Sequence, residues 1–284
     1  MKNQLSGVSF NDTCRLFGKS RQAWYKIHQR GDRNRLQEEL VLQWVLEIRS
    51  TLPRVGGIKL YFLIKDRLTE HNIKMGRDGL YRLLREHDLL IVPRRKYVRT
   101  TQSWHHYKKW PDLLQDYRPY GPDQVWVSDI TFLRTVNGFI YLSLITDAYS
   151  RVITGYHLSQ YLKASGCIAA LTKALKSRRN PDTELIHHSD RGIQYCCDDY
   201  VQLLQKNDIR ISMTQSGSPY DNAIAERVNG ILKQEFGLDQ TFKSYNEAIE
   251  PVARAVYTYN HIRPHFSCDL KTPVQKHYLE IKSG

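Results

Sequence analysis

The sequence predicts an α/β protein in which a basic, helical region precedes a mixed five-stranded sheet flanked by helices. Apolar residues recur at helical spacing before residue 100, and β-branched and aromatic residues dominate from Val125 onward. Strand and helix patterns then alternate to about residue 236. A chain of 284 residues is long enough for two domains, each with its own core.

Charge is unevenly distributed along the chain. Residues 1–120 hold 24 Lys and Arg against 12 Asp and Glu, whereas residues 121–284 hold 18 against 17. A segregated positive excess is typical of a protein that binds a polyanion, because neutralising phosphates releases counterions. We therefore expect a nucleic-acid partner, with a set of solvated helix faces as the alternative interpretation.

Composition argues against several classes of protein. No stretch approaches the ~18 apolar residues of a membrane span, and no apolar signal region follows the N-terminus. We expect a cytoplasmic protein without a membrane partner. None of the five cysteines lies in a CxxC pair, so free thiols are expected and a zinc site is not.

Residues 1–50 are interpreted as a helix-turn-helix with a connecting helix. A short helix is expected to end at Gly18, and Ser20 is a plausible N-cap for a second helix that ends near residue 29. A separate, longer helix is expected over residues 33–49. An ordinary helical hairpin fits the same pattern. The second helix would present polar side chains to DNA, namely Arg21, Gln22 and Lys26.

Residues 51–100 are predicted to form a second helix-turn-helix-like domain, with helices over 58–70 and 77–87. It ends in a basic arm that could follow a phosphate backbone or enter a minor groove, although a solvated linker is the alternative. Residues 101–123 are polar and contain prolines, so they are interpreted as a linker. The cations of the arm are Arg94, Arg95, Lys96 and Arg99.

Residues 124–240 are predicted to form the core of the second domain. Three strands with short connections, over 125–132, 138–147 and 151–158, indicate an antiparallel meander with a two-residue turn at Asn137-Gly138. Further elements alternate after them: helix 163–177, strand 184–190, helix 198–207, strand 209–213, and a helix from Asp221 to about Phe236. This is the order of a ribonuclease H-like fold. Residues 241–284 are predicted to form a C-terminal helix and a tail.

Three acidic residues stand out by their context. Asp129 lies inside an apolar strand, Asp190 ends a strand, and Glu226 lies on the helix after the last strand. A buried carboxylate is costly unless it is paired or binds a metal. In this fold order the strands of Asp129 and Asp190 are neighbours, and the helix of Glu226 crosses the same edge. We therefore predict an oxygen-only site for two Mg²⁺ ions, with Mn²⁺ as a substitute, suited to phosphoryl transfer.

The spacing of these acids resembles a known pattern. Asp190 and Glu226 have 35 residues between them, and Lys233 follows two helical turns after Glu226. This resembles the D,D(35)E-K/R pattern of retroviral integrases and bacterial insertion-sequence transposases. Further motifs are similar to those of OrfB-type transposases: Trp126–Thr131, Asp147–Arg151, His188–Tyr195, Ser218–Ala223 and Tyr259–His265.

The resemblance implies a DDE transposase whose catalytic, metal-binding residues are Asp129, Asp190 and Glu226. It also implies that Lys233, Asn222 and Arg263 lie against DNA. The implied substrates are double-stranded terminal inverted repeats and target DNA, handled by at least a dimer in the bacterial nucleoid. Whether the product of an upstream reading frame acts as a partner, or is fused to this chain, stays open.

Two other functions fit the residues less completely. A ribonuclease H-like structure-specific nuclease would use the same acids but would have little need for the long helical region. A non-enzymatic DNA-binding repressor would be expected to lose at least one acid, and here the triad is intact.

Overall fold

The computed structural model describes residues 10–18, 20–91, 106–115, 117–179, 181–215 and 223–279, without the side chains of 11, 12, 24 and 26–33. These residues form two compact units. The first contains the first four helices, and the second contains the sheet and the remaining helices. No helix in the described ranges is long and apolar enough to cross a membrane.

The first unit consists of four helices: α1 (Phe10–Leu16), α2 (Arg21–Thr51), α3 (Gly57–Glu70) and α4 (Arg77–Glu86). The Ser20 hydroxyl accepts a hydrogen bond from the Ala23 amide at 3.1 Å, which confirms the predicted cap. The predicted break near residue 30 is wrong, because α2 continues through Gly31. One helical glycine costs only about 1 kcal/mol, which a long, cooperative helix absorbs.

The helices of the first unit pack through apolar faces, and α3 and α4 confirm the two predicted helices at 58–70 and 77–87. An edge-on contact between Trp44 and His71, with centroids 5.0 Å apart, joins α2 to the end of α3. The Arg67 guanidinium donates to both Glu47 oxygens at 2.7 and 3.1 Å. The buried side chains of this unit include Val41, Val45, Leu60, Ile64, Leu68, Leu80, Leu83 and Leu84.

The second unit is built on a mixed sheet in the order β3-β2-β1-β4-β5. The first three strands are antiparallel neighbours, whereas β4 is parallel to β1, and β5 to β4. This is the ribonuclease H-like order, so the predicted fold class is confirmed. The strands are β1 (Val125–Thr135), β2 (Gly138–Asp147), β3 (Ile153–Ser159), β4 (Ile186–Ser189), β5 (Arg210–Met213) and a short β6 (Thr241–Phe242).

The hairpin between β1 and β2 differs from the prediction by one residue. Thr135 pairs with Gly138, so the two turn residues are Val136 and Asn137 rather than Asn137 and Gly138. The end of β1 is paired on both sides, since Arg134 and Thr135 also pair with β6. The strand β1 ends at Thr135, beyond the predicted end at residue 132.

Helices cover both faces of the sheet. They are α5 (Ala164–Ser177), α6 (Ile193–Cys196), α7 (Asp198–Lys206), α8 (Ala223–Glu235), α9 (Tyr245–His261) and α10 (Pro273–Leu279). Trp126 and Ile145 pack against α5 and α7 on one face. Leu133 and Leu142 pack against α8 and α9 on the other. Helix α9, which lies beyond residue 240, therefore belongs to the same core as the sheet.

The described part of the predicted linker is attached to the sheet. The Leu113 amide donates to the Ser212 hydroxyl at 2.9 Å, and the Pro111 carbonyl accepts from the Met213 amide at 3.2 Å. Leu113, Leu114 and Tyr117 pack against the apolar side chains of β1 and β4. This segment follows the edge strand β5 instead of spanning freely, because its leucines find apolar surface there.

Candidate active site

Asp129 lies in the middle of β1, the central strand. Its Oδ1 accepts a hydrogen bond from the Ile130 amide at 2.9 Å, and its Oδ2 accepts one from the Asn229 side-chain amide at 2.7 Å. Asn229 is on α8, three residues after Glu226, and therefore shares a face of that helix with it. The Asn229 contact fixes α8 directly over Asp129.

Asp190 follows the last residue of β4, the parallel neighbour of β1. Its Oδ1 accepts a hydrogen bond from the Gly192 amide at 3.0 Å. A Cβ on residue 192 would lie 2.9 Å from that oxygen, so glycine permits the close approach. The carboxylate is thereby held at the sheet edge that the fold order predicted.

Glu226 lies in the first turn of α8, and its side chain is exposed. Its charge and that of Asp190 both raise the pKa of Asp129. Burial is the largest cause of the shift and brings this pKa to about 7, while the hydrogen bonds from Ile130 and Asn229 oppose it. The three acids therefore share one electrostatic environment.

Within the described ranges, no group of three or more His, Cys, Asp or Glu side chains has an arrangement that could hold a metal ion. Two observations nevertheless fit a divalent cation near Asp129. Like charges raise the pKa of its carboxyl group, which a cation would reverse. The Asn229 Oδ1 atom is buried and has no hydrogen-bond partner among the described residues, and it is a hard oxygen of the kind that Mg²⁺ accepts.

Lys233 is half-buried on α8, two turns after Glu226. Burial lowers its pKa, the carboxylates of Asp129 and Asp239 raise it, and the Arg134 charge lowers it. Its ammonium group therefore lies within electrostatic reach of the Asp129 carboxylate. The predicted DNA-contacting lysine therefore shares α8 with Glu226 and interacts electrostatically with Asp129.

Arg263 is the predicted DNA contact that the structure corrects. Its side chain is 1% exposed, and its Nε and Nη2 donate to the two Glu235 oxygens at 2.7 and 2.6 Å. The same guanidinium donates to the Pro264 carbonyl at 3.3 Å. A buried guanidinium paired in this way offers no surface to DNA. It ties the end of α9 to the end of α8.

Asn260 has a similar internal role. Its side-chain amide exchanges two hydrogen bonds of 2.9 Å with the backbone of Ile153 in β3. The His265 ring packs edge-on against Tyr259, with centroids 4.7 Å apart. The buried residues of this motif, Tyr259, Asn260, Arg263 and His265, therefore hold the core together.

The two histidines before Asp190 are also internal. His187 Nε2 lies 2.7 Å from the Ser128 hydroxyl and 2.9 Å from the Tyr200 hydroxyl. Burial, assisted by His188, lowers the pKa of His187 to about 3, so its imidazole stays neutral at physiological pH. His188 Nδ1 lies 2.8 Å from the Ser212 hydroxyl. Both support β4 and its neighbours rather than the reacting groups.

The remaining predicted DNA contacts divide into two groups. Arg21 and Gln22 are exposed at the start of α2, with the Arg21 guanidinium 5.8 Å from the Phe10 ring and 5.9 Å from the Tyr25 ring. The others lie outside the described residues or, for Lys26, have an undescribed side chain: Asn222, Arg94, Arg95, Lys96 and Arg99.

Sequence reasoning missed Asn229, which touches Asp129 directly. The sequence does place Asn229 three residues after Glu226, so the two side chains share a face of the predicted helix. Polar residues at such spacing are common on exposed faces, so the spacing alone did not distinguish Asn229. Only the packing of α8 on β1 identifies it.

The fold and the three acids define a protein with an integrase-type core. Two profiles of the integrase core domain match residues 119–219 and 207–273. The first range contains Asp129 and Asp190, and the second contains Glu226 and Lys233.

Relatives identify the family more closely. The 31 kDa protein of insertion element IS600 from Shigella sonnei is 36% identical over 256 residues, which cover 89% of this chain and 92% of that protein. Transposase InsF for insertion sequence IS3A from Escherichia coli K12 is 31% identical over 232 residues, covering 80% and 79%. The chain belongs to the insertion-sequence transposases that carry an integrase core domain.

Among solved structures, the HTLV-2 integrase catalytic core domain in complex with magnesium is similar to part of this chain. It covers 57% of this chain and 100% of its own, with 17% sequence identity and a TM-score of 0.45.

Proposed function

We propose that this chain binds the ends of an insertion sequence, cleaves one strand there and transfers the resulting 3′-hydroxyl to another phosphodiester. The observation that carries the proposal is the placement of Asp129 on β1, Asp190 just after β4 and Glu226 on α8, in an insertion-sequence transposase. Phosphoryl transfer requires mainly positioning and charge neutralisation, which this arrangement can supply.

The proposed cofactor is Mg²⁺, bound as two ions by Asp129, Asp190 and Glu226, with Mn²⁺ as a substitute. When bound, the ions would stabilise charge on the attacking and leaving oxygens of the phosphodiester. Three features support this assignment: the hard carboxylate donors, the raised pKa of Asp129, and the Asn229 Oδ1 atom, which accepts no hydrogen bond from the part of the chain that the structure describes.

Residues of the chain itself would prepare the site. The Asn229 amide holds the Asp129 carboxylate at 2.7 Å, and the Gly192 amide holds that of Asp190 at 3.0 Å. The Lys233 ammonium, beside Asp129, would bind a phosphate of the DNA and reduce the repulsion between DNA and the acids.

We propose that residues 1–100 bind the terminal inverted repeats and that the core within 124–240 holds end and target DNA. Exposed cations of the helical unit support this, including Arg21 of α2 and Arg77, Arg82 and Arg85 of α4. The arm Arg94–Arg99 and Asn222 remain proposed contacts. Because two ends must be joined, at least a dimer is required, with an upstream-frame product as a further partner or fused segment in the bacterial cytoplasm.

The decisive experiment is strand transfer on labelled DNA that carries the element's ends, in Mg²⁺, with the native chain and Asp190→Asn. We expect joined products from the native chain and none from Asp190→Asn. Asp208→Asn is a matched control, since this exposed aspartate has φ 53° and asparagine accepts that conformation. It should join DNA as the native chain does.

Other outcomes of the strand-transfer experiment would indicate other functions. Cleavage without joining would establish a ribonuclease H-like nuclease and contradict the transposase assignment. Binding without either reaction, unchanged when the upstream-frame product is added, would establish a repressor.

A further inference from the structure

A short part of the predicted linker, residues 111–114, lies against the edge strand of the sheet. The Pro111 carbonyl accepts a hydrogen bond from the Met213 amide at 3.2 Å, and the Leu113 amide donates to the Ser212 hydroxyl at 2.9 Å. Backbone groups of the linker are thus attached to both the backbone and a side chain of β5. We call residues 111–114 the docked segment.

The Ser212 hydroxyl links the docked segment to the next strand, β4. Ser212 pairs with His188 in the parallel register of β5 and β4, and the Ser212 Oγ and His188 Nδ1 atoms lie 2.8 Å apart. Both residues are fully buried, and the Asp112 carboxylate lies 3.9 Å from the same Nδ1 atom. Because a buried polar group that loses its partner is costly, this network holds the docked segment, β5 and β4 together.

The network lies close to two of the acids along the strands. His188 pairs with Val127 of β1 as well as with Ser212 of β5. Asp129 comes two residues after Val127, and Asp190 comes two residues after His188. Two residues of a strand span about 7 Å. The contacts of the docked segment are therefore made on the row of the sheet just before the carboxylates.

The leucines of the docked segment extend these contacts to the helix of the third acid. They pack against apolar side chains from β1, β4 and α8, and the group comprises Leu113, Leu114, Val125, Val127, Ile186 and Ala225. Ala225 is buried in the first turn of α8, immediately before Glu226. Val127 and Asp129 are alternate residues of β1, so this group lies on the face of the sheet that carries the Asp129 carboxylate.

We propose that the docked segment is a positioning element that sets the separation between the carboxylates of Asp190 and Glu226. It holds the strand before Asp190 through polar contacts, and the first turn of α8 through apolar ones. Groups that orient metal ligands affect a site strongly without touching the metal or the substrate. The proposal rests on the proposed function only for the role of the two acids.

The test compares two buried serines in similar surroundings. Ser212 and Ser150 are both fully buried, their hydroxyls lie 2.8 and 2.9 Å from a histidine Nδ1 atom, and each accepts from a backbone amide. Ser150 lies between β2 and β3 and contacts His277 of α10 instead of the docked segment. It also donates to Asp147, so a general loss of stability should be at least as large in Ser150→Ala as in Ser212→Ala.

The first measurement is hydrogen exchange in EDTA, which needs neither metal nor reaction. The Gly192 amide donates to Asp190 Oδ1, so its exchange rate reports the position of that carboxylate. Ser212→Ala should accelerate this exchange about tenfold, and Ser150→Ala less than about twofold. Leu114→Ala is a milder change at a partly buried residue, and should accelerate the same exchange about threefold.

The second measurement is strand transfer by the full chain at increasing Mg²⁺ concentration. Ser212→Ala keeps all three acids, but it should raise the Mg²⁺ concentration that gives half the maximal rate by about tenfold. Ser150→Ala should raise it by less than about twofold, although urea titration shows a similar or larger loss of stability.

Two results would overturn the proposal. One is an equal acceleration of Gly192 exchange in the two serine variants, which would make the docked segment an ordinary part of the core. The other is unchanged Gly192 exchange in Ser212→Ala and Leu114→Ala, with both variants folded. A native chain that joins no DNA would refute the proposed function alone, because the exchange measurement does not depend on the reaction.

Discussion

Asp129 illustrates the cost of placing a carboxylate inside a sheet. Its pKa is about 7 in the folded chain, against a usual value of 3.8. Between these values the folded state holds a proton that the unfolded state has released, so stability falls as the pH rises through this window. The full shift corresponds to about 4 kcal/mol, and the partial exposure of the residue reduces this to about 2 kcal/mol.

Asp129→Asn should therefore stabilise the metal-free chain. At pH 8 in EDTA we expect a gain of about 2 kcal/mol in the free energy of unfolding, measured by urea titration. At pH 5 the gain should be less than half as large, since folded Asp129 is then already protonated. Asp208→Asn should show no such pH dependence. A variant less stable than the native chain at pH 8 would contradict the electrostatic account.

At the scale of single residues, the sequence predicts the roles of some residues better than those of others. Asp129, Asp190 and Glu226 could be proposed as one site because an acid in an apolar strand and a fixed spacing are visible in one chain. Arg263 could not be placed correctly, because a buried and an exposed arginine look alike until the partner is known. That partner, Glu235, is 28 residues away and becomes a neighbour only when α8 and α9 pack.

At the scale of secondary-structure elements, the candidate site depends on how α8 is attached to its neighbours. Helix α8 bears Glu226, Asn229 and Lys233, and its far end is fixed by the pair between Glu235 and Arg263. The guanidinium is 1% exposed and the carboxylate 21%. A buried charge that loses its partner is strongly destabilising, because nothing else offsets its desolvation.

Arg263→Met should lower the free energy of unfolding by about 3 kcal/mol, measured by denaturant titration. The double variant Arg263→Met with Glu235→Leu should recover part of this loss, since no charge is left unpaired. Arg254→Met is a control on the same helix. Arg254 and Glu250 are exposed and 4.0 Å apart, so its loss should cost less than about 1 kcal/mol. Equal losses for the two arginines would refute the α8 anchor.

The bounds of helices and strands could be predicted from the sequence where the apolar periodicity is strong. Helices α3, α4 and α5 and the three antiparallel strands could be predicted, since each has a clear apolar pattern. The pairing of Arg134 with β6 could not, because two residues carry no periodicity and the strand exists only through its partner. The continuity of α2 through Gly31 was missed for a different reason: helix cooperativity outweighs a single unfavourable residue.

For the whole molecule, charge is the property with the longest reach. The first 120 residues carry 24 basic and 12 acidic side chains, whereas the rest is nearly balanced at 18 and 17. A nearly neutral half that contains a cluster of carboxylates attracts DNA weakly. Long-range attraction must then come from the N-terminal half, so the location of a cation should matter more than the total charge.

This can be tested with two triple variants of equal charge. One replaces Arg77, Arg82 and Arg85 of α4 with glutamine, and the other replaces Lys173, Lys176 and Lys206 of the core unit. All six side chains are exposed, and either set lowers the net charge of +13 by three. Each phosphate contact contributes about 0.9 to the slope of log affinity against log salt concentration.

We expect the α4 variant to reduce the salt slope for duplex DNA by about 2, because most of its arginines would release counterions on binding. The core variant should change the slope by less than about 0.5, although its net charge is the same. Anisotropy titrations from 50 to about 300 mM KCl measure both slopes. Equal reductions would mean that only total charge attracts DNA, and the N-terminal unit would lose its assignment as the DNA-binding region.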